Sequence, residues 1–202
     1  MSVAVSEELL DKAVDTLARA FVHYPYPGGA ISGDERQKNA LSIMFSLELK
    51  RVSAFGELVS ESHDCRGVAV WCRMGELNEG VSLPQQFRAL ISCMRPREMI
   101  KTVRRCMSIE RGRTRLHLSD DTVYLYILGV EPESQGKGIG SALVREKLAE
   151  CDKEGCAVYL ETNSEHNVGY YSSFGFTLIK KVVEEHGAFT TWYMIRKPAD
   201  KK

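Results

Sequence analysis

Seven consecutive residues, Gln135-Gly136-Lys137-Gly138-Ile139-Gly140-Ser141, have the make-up of a phosphate-binding loop. Glycines at 136, 138 and 140 remove side chains where a ligand would approach the backbone. A run of strand formers, Val123-Tyr124-Leu125-Tyr126-Ile127-Leu128-Gly129-Val130, precedes the loop, and a helix is expected from Ser141 to about Lys153. A helix start offers free N–H groups and the positive end of its dipole, which together suit a pyrophosphate. Two common phosphate loops do not fit. The P-loop pattern GxxxxGK[ST] fails because Lys137 is followed by glycine. The dinucleotide pattern GxGxxG fails because the spacing is GxGxG and the strand lies far from the N-terminus.

The second group with chemistry is Asn167-Val168-Gly169-Tyr170-Tyr171-Ser172-Ser173-Phe174-Gly175-Phe176. A tyrosine phenol has a reference pKa of ~10, so it is protonated at neutral pH and can give a proton to a departing anion. The alternative is a tyrosine that only packs on a sheet.

Gln135, Gly138 and Gly140 fit Q/R-x-x-G-x-G/A, and this loop resembles the acyl-CoA loop of the GNAT superfamily of N-acyltransferases. The Asn167–Phe176 segment resembles that superfamily's N…Y-x-x-x-G-F segment. Within the superfamily, further short pieces are similar to puromycin N-acetyltransferase and its relatives. They are Ala20-Phe21-Val22-His23-Tyr24-Pro25, Val68-Ala69-Val70-Trp71, Leu160-Glu161-Thr162 and Thr191-Trp192-Tyr193-Met194-Ile195-Arg196-Lys197-Pro198. Residues 76–118 carry no match.

The resemblance implies an α/β fold with a mixed sheet, a single N-acetyltransferase domain over 1–202, and a cofactor-binding and catalytic core over about 120–197. It implies acetyl-CoA as acyl donor, direct attack of an amine on the thioester, and no metal. The donor would be held by Leu128, Gly129, Val130, Gln135, Gly136, Lys137, Gly138, Ile139, Gly140, Ser141, Asn167 and Tyr171. In the family the strand before the loop is splayed by a bulge. That maps here to Leu128, Gly129 and Val130, with Gly129 tolerating irregular backbone. The Val130 N–H would stabilise the oxyanion, and Tyr171 would protonate the leaving thiolate, with Tyr170 as its structural alternative. For the base, Tyr24, Glu161, Tyr126 and His166 stay open, and Tyr24 is put forward because it matches the Tyr-Pro segment. The expected acceptor is a primary amine of a small molecule. The alternatives are a peptide or protein amine, a silent acyl-CoA-binding regulator, and a non-enzymatic interaction module.

These residues need elements to position them. A helix is expected over residues 6 to about 22, capped by Ser6, with Leu9, Leu10, Ala13, Leu17, Ala20 and Phe21 at helical spacing. Pro25, Pro27, Gly28 and Gly29 break the chain, and Asp34 starts a second helix to about Ser53. Leu58-Val59 and Val68–Trp71 read as neighbouring strands with His63-Asp64 in the turn. One or two helices fit residues 76–118, with Pro84 and Pro96 as boundaries. After the loop helix, which Gly155 ends, a strand is expected over 157–161 and a short helix over 167–174. Strands over 176–183 and 189–196 follow. Helices and strands in this order imply a mixed sheet.

Length and composition exclude other classes. The chain has 202 residues, 44% of them hydrophobic and 27% charged, which suits one buried core and argues against disorder. Lys+Arg and Asp+Glu balance at 27 each, so no global field recruits nucleic acid or an anionic membrane. The basic stretch Arg95–Arg115 lacks interleaved aromatics and reads as a solvated helical face. The N-terminus turns acidic before a signal-peptide core forms, and no apolar run approaches a membrane span. The six cysteines form no CxxC pair and no zinc pattern. A cytoplasmic protein, monomer or homodimer, with reduced core cysteines is expected.

Overall fold

In the computed structural model, residues 2–26, 31, 33–77, 94–183 and 189–199 are described. Pro27, Gly28, Gly29, Pro84 and Cys93 lie outside them. The strands are β1 (Val3–Ala4), β2 (Glu57–Ser60), β3 (Gly67–Arg73), β4 (Val123–Val130), β5 (Val158–Thr162), β6 (Thr177–Val183) and β7 (Thr190–Arg196). They form one sheet in the order β1-β2-β3-β4-β5-β7-β6. Every pairing is antiparallel except β4 with β5, so the sheet is mixed, as the sequence implied. The helices are α1 (Leu10–Phe21), α2 (Asp34–Val52), α3 (Pro96–Thr114), α4 (Ile139–Glu154) and α5 (Glu165–Ser172).

Alternation along the strands makes two cores. Ala69, Trp71, Val123, Leu125, Val158 and Leu160 face α4 and α5, packing on Leu143, Val144, Leu148 and Tyr171. Val68, Val70 and Leu58 face α1 and α2, against Leu17, Leu41, Phe45 and Leu49. Beside this second core, Cys72, Tyr124, Tyr159 and Tyr193 form a more polar patch beneath α3.

The helix α3 occupies the segment that gave no readable pattern. Its inward side carries Glu98, Thr102, Arg105, Ile109 and Gly112, at three- and four-residue steps. Arg105 Nη1 donates to the Pro25 carbonyl at 2.7 Å, and its guanidinium lies over the Phe189 ring. Arg113 forms an ion pair with Glu161 at 3.2 Å. The basic stretch is solvated at Arg97, Arg104 and Arg111, as expected, while Arg105 and Arg113 turn inward.

Gly112 is where α3 touches the sheet. A Cβ there would overlap the Tyr193 hydroxyl, which donates to the Ile109 carbonyl at 3.1 Å. Gly112→Ala is expected to lower stability by ~1–3 kcal/mol, the usual cost of overpacking. Thermal unfolding followed by circular dichroism measures it; an unchanged midpoint would mean that α3 shifts freely.

One smaller expectation also changes, and the core cysteines are found. Ser6 makes no side-chain cap, and a short 3-10 turn, Glu7–Leu9, leads into α1. Of the described cysteines, Cys65, Cys72 and Cys151 are buried, but Cys106 is exposed and Cys156 half-buried. Burial pushes the Cys72 thiol up to about 12 and the Cys151 thiol up to about 11, so both stay protonated.

Candidate active site at the parting of β4 and β5

The two parallel strands pair only over Val123–Leu125 and Val158–Leu160. Beyond that point β4 continues alone on its β5 side, while it stays paired with β3 to Val130. The register with β3 slips between Val70 and Trp71, which oppose Ile127 and Leu125, so Tyr126 is the extra, bulged residue. Tyr126 and Ile127 consequently both join the α1/α2 side. The bulge expected at Leu128–Val130 thus lies earlier, at Tyr126. Gly129 has a different reason to be glycine: a Cβ would come within 2.6 Å of Leu17 Cδ2 on α1.

The far edge of β4 is nonetheless open. Glu131 N–H donates to the Arg66 carbonyl at 2.8 Å, toward β3. Backbone direction alternates along a strand, so Val130 and Leu128 point the other way, into the gap that β5 leaves. The Val130 carbonyl accepts from Gln135 Nε2 at 3.0 Å, consistent with this direction.

The glycine loop follows at once. Gly136 and Gly138 have φ of +75° and +82°, and a Cβ on either would meet nothing within 4 Å. Gly138 caps α4 without a side-chain hydrogen bond, and the first backbone bond of that turn is Ala142 N–H to the Gly138 carbonyl. The N–H groups of Ile139, Gly140 and Ser141 have no partner among the described residues. Lys137 is exposed beside them. Free donors at a helix start, next to open space, fit a pyrophosphate. Tyr170 backs the loop, its hydroxyl 3.3 Å from Ser141 Oγ and packed on Gly140.

Tyr171 and Tyr24 lie close together at the end of β5, within electrostatic reach of each other. The Tyr171 ring is buried, and burial raises its phenol well above the usual range. Its hydroxyl takes no hydrogen bond among the described residues, yet it is not one of the sealed orphan atoms, Trp71 Nε1 and Thr102 Oγ1. Tyr24 is differently placed. Its hydroxyl lies 2.7 Å from Thr162 Oγ1 and accepts from the Asn163 N–H at 2.9 Å, with Asn167 also nearby. Burial raises its phenol too. These bonds tie the end of α1 to the end of β5. His166 is exposed on α5.

Two charged groups that sequence reading treated singly, or missed, form networks. Glu161 accepts from Tyr159, Tyr124 and Arg113. Burial pushes its carboxyl up, and Arg113 opposes this. On α2, Glu48 accepts from the bulged Tyr126 at 3.0 Å and from Arg51. Burial works against the Arg51 charge, but Glu48 and Tyr126 outweigh it. Glu48 and Arg51 flank the apolar positions of α2, and no motif marks them. Among the described residues, no group of three or more His, Cys, Asp or Glu is placed to hold a metal ion. No described helix is long and apolar enough to cross a membrane.

This sheet, parted at its centre beside a glycine loop and a helix start, has the fold of solved acetyltransferases. Residues 103–178 match the family model described as an acetyltransferase (GNAT) domain. An uncharacterized N-acetyltransferase of Schizosaccharomyces pombe is 33% identical over 81 residues, which is 39% of this chain. The match spans about a third of that curated relative's length, 33%. Two solved structures share the fold over almost the whole chain. A Corynebacterium glutamicum protein described as histone acetyltransferase HPA2 and related acetyltransferase has a TM-score of 0.69 at 21% identity, covering 100% of this chain and 98% of the other. Arylalkylamine N-acetyltransferase 2 from Aedes aegypti has a TM-score of 0.59 at 15% identity, covering 98% of each.

Proposed function

We propose that the chain is an N-acetyltransferase that moves the acetyl group of acetyl-CoA directly to a primary amine of a small molecule, with 1–202 acting as one domain. The observation that carries this reading is two neighbouring sets of free backbone donors, Leu128 and Val130 on the open edge of β4 and Ile139–Ser141 at the start of α4. Acetyl-CoA supplies an acyl thioester. The loop residues Gln135, Gly136, Lys137, Gly138, Ile139, Gly140 and Ser141 hold its phosphates, and Leu128, Gly129 and Val130 line its arm. The Val130 N–H stabilises the charge that develops on the thioester oxygen, a contribution typically worth ~3 kcal/mol of barrier. Tyr171 protonates the departing thiolate. Tyr24, with its hydroxyl committed to Thr162 and Asn163, holds the end of β5 and Asn167 in place and is a weaker choice for the base than the sequence suggested.

The small acceptor is favoured by how α3 is tied down. Arg36 on α2 pairs with Glu98 at 2.7 Å, and Arg105 holds the Pro25 carbonyl, so α3 is fixed to α2 and to the segment that follows α1. A closed, mostly apolar pocket suits a small molecule better than an extended backbone. The test is acetyl transfer to puromycin and a panel of small primary amines, in parallel with mixed peptides read by mass spectrometry. Turnover of small amines is expected. Efficient peptide acetylation without small-amine turnover would overturn the acceptor assignment and leave the acetyl-CoA assignment standing.

A further inference from the structure

Two carboxylates accept from tyrosines of β4, Glu161 from Tyr124 and Glu48 from Tyr126, and their remaining hydrogen bonds separate them. Both oxygens of Glu161 are taken. Oε1 accepts from Tyr159 at 2.7 Å and Arg113 at 3.2 Å, and Oε2 accepts from Tyr124 at 3.0 Å and Arg113 at 3.4 Å. Its side chain is 8% exposed. A carboxylate saturated in this way has nothing left to offer a ligand, and withdrawing it would orphan buried donors.

Glu48 differs in each respect. Only Oε2 is used, by the Tyr126 hydroxyl at 3.0 Å and by Arg51 Nε and Nη2 at 3.1 and 3.0 Å. Oε1 accepts no hydrogen bond among the described residues, and the side chain is 31% exposed. Arg51 pairs with the carboxylate and fixes its orientation from one side. Tyr126 links it to the bulge, the point where β4 leaves β5. Half-buried Tyr26 completes the surroundings: its phenol hydrogen-bonds Cys106 and lies near Tyr126 and Glu48.

Building on the acetyltransferase reading, we infer that Glu48 Oε1 receives the positively charged amino group of the incoming acceptor. The free oxygen has room for one more donor, and the Tyr126 hydroxyl links its carboxylate to the strand proposed to carry the thioester. Tyr26 and Tyr126 bring aromatic surface to the same place. The substrate class is therefore a primary ammonium on an apolar or aryl body. Glu161, by contrast, braces the sheet.

Binding separates this inference from the activity. Phenethylammonium and its uncharged analogue 2-phenylethanol would be titrated into the full chain and followed by NMR, with wild type, Glu48→Gln and Glu161→Gln compared. The wild type is expected to prefer the ammonium by roughly 10-fold, in line with a hydrogen bond to a charged group. Glu48→Gln should erase that preference while leaving acetyl-CoA binding unchanged. A wild type without preference, a preference that survives Glu48→Gln, or one lost only in Glu161→Gln would overturn the inference. Should Glu48→Gln not fold, Glu48→Asp, which retracts the carboxylate, must weaken the preference. The probes need no turnover, so a protein that fails to bind or use acetyl-CoA would sink the proposed function and leave this result to stand on its own.

Discussion

Replacing Gly138 with valine is expected to abolish the rise in melting temperature that acetyl-CoA produces. Ligand binding to the folded state alone stabilises it by about 2.7 kcal/mol at a hundredfold excess over the dissociation constant. In the free protein a Cβ at Gly138 meets nothing, so the fold has room for it. The same room lies beside the unpartnered N–H groups of Ile139, Gly140 and Ser141, where a phosphate would enter. Valine also resists the +82° φ, at a cost of order 1–3 kcal/mol, so the unliganded protein should melt lower. The two effects are separable with a control at the other end of α4. Gly155 has a φ of +76° and equally open surroundings. Gly155→Val should carry the strain and keep the full ligand shift. If Gly138→Val kept its shift as well, the loop would not be the phosphate site.

Tyr171→Phe is expected to bind acetyl-CoA normally and to lower turnover by ~10²–10⁴-fold. The surroundings of Tyr171 favour a clean experiment. Its ring packs against Phe176 and Tyr170, contacts that phenylalanine keeps. Its hydroxyl has no hydrogen-bond partner among the described residues, so deletion orphans nothing. Burial raises the phenol, so the proton is in place at neutral pH. Steady-state thiol release measures kcat, and calorimetric titration measures acetyl-CoA affinity. Wild-type turnover in Tyr171→Phe would hand the proton to Tyr170 or water, whereas loss of folding would support a packing role.

The later half of the chain was legible because its signals are local. Gly136, Gly138, Gly155 and Gly175 all adopt positive φ, so glycine spacing marked the loop and the ends of α4 and α5 directly. Strands β4 to β7 were visible as runs of β-branched and aromatic residues. The helix α3 was not legible because its buried side is written in Glu98, Thr102, Arg105 and Gly112, which hydropathy periodicity scores as surface. Its burial depends on partners far away in sequence, Arg36, Pro25 and Tyr193. The position of the bulge was missed for a related reason. A glycine drew attention to residue 129, whereas the irregularity is held at Tyr126 by Glu48 and Arg51 from another helix. Strand β1 is only two residues long and carries no pattern of its own; it exists because it pairs with β2. The narrower likeness to puromycin acetyltransferases rested on short pieces. Within them, the Tyr24 hydroxyl bonds Thr162 and the Asn163 N–H and so links the end of α1 to the end of β5.

The early separation of β4 from β5 also shapes how the protein breathes. Central strands usually hold the amides slowest to exchange with solvent, because releasing them requires the sheet to open. Here β4 is central, yet only one of its edges is covered past Leu125. The amides of Ile127 and Gly129 point into the β3 ladder and are locked with the core. Those of Leu128 and Val130 face the gap and are free to trade their hydrogens with water. Neighbouring residues in the middle of the sheet thus belong to opposite extremes of protection. The gap between β4 and β5 is a place where the core reaches solvent without unfolding.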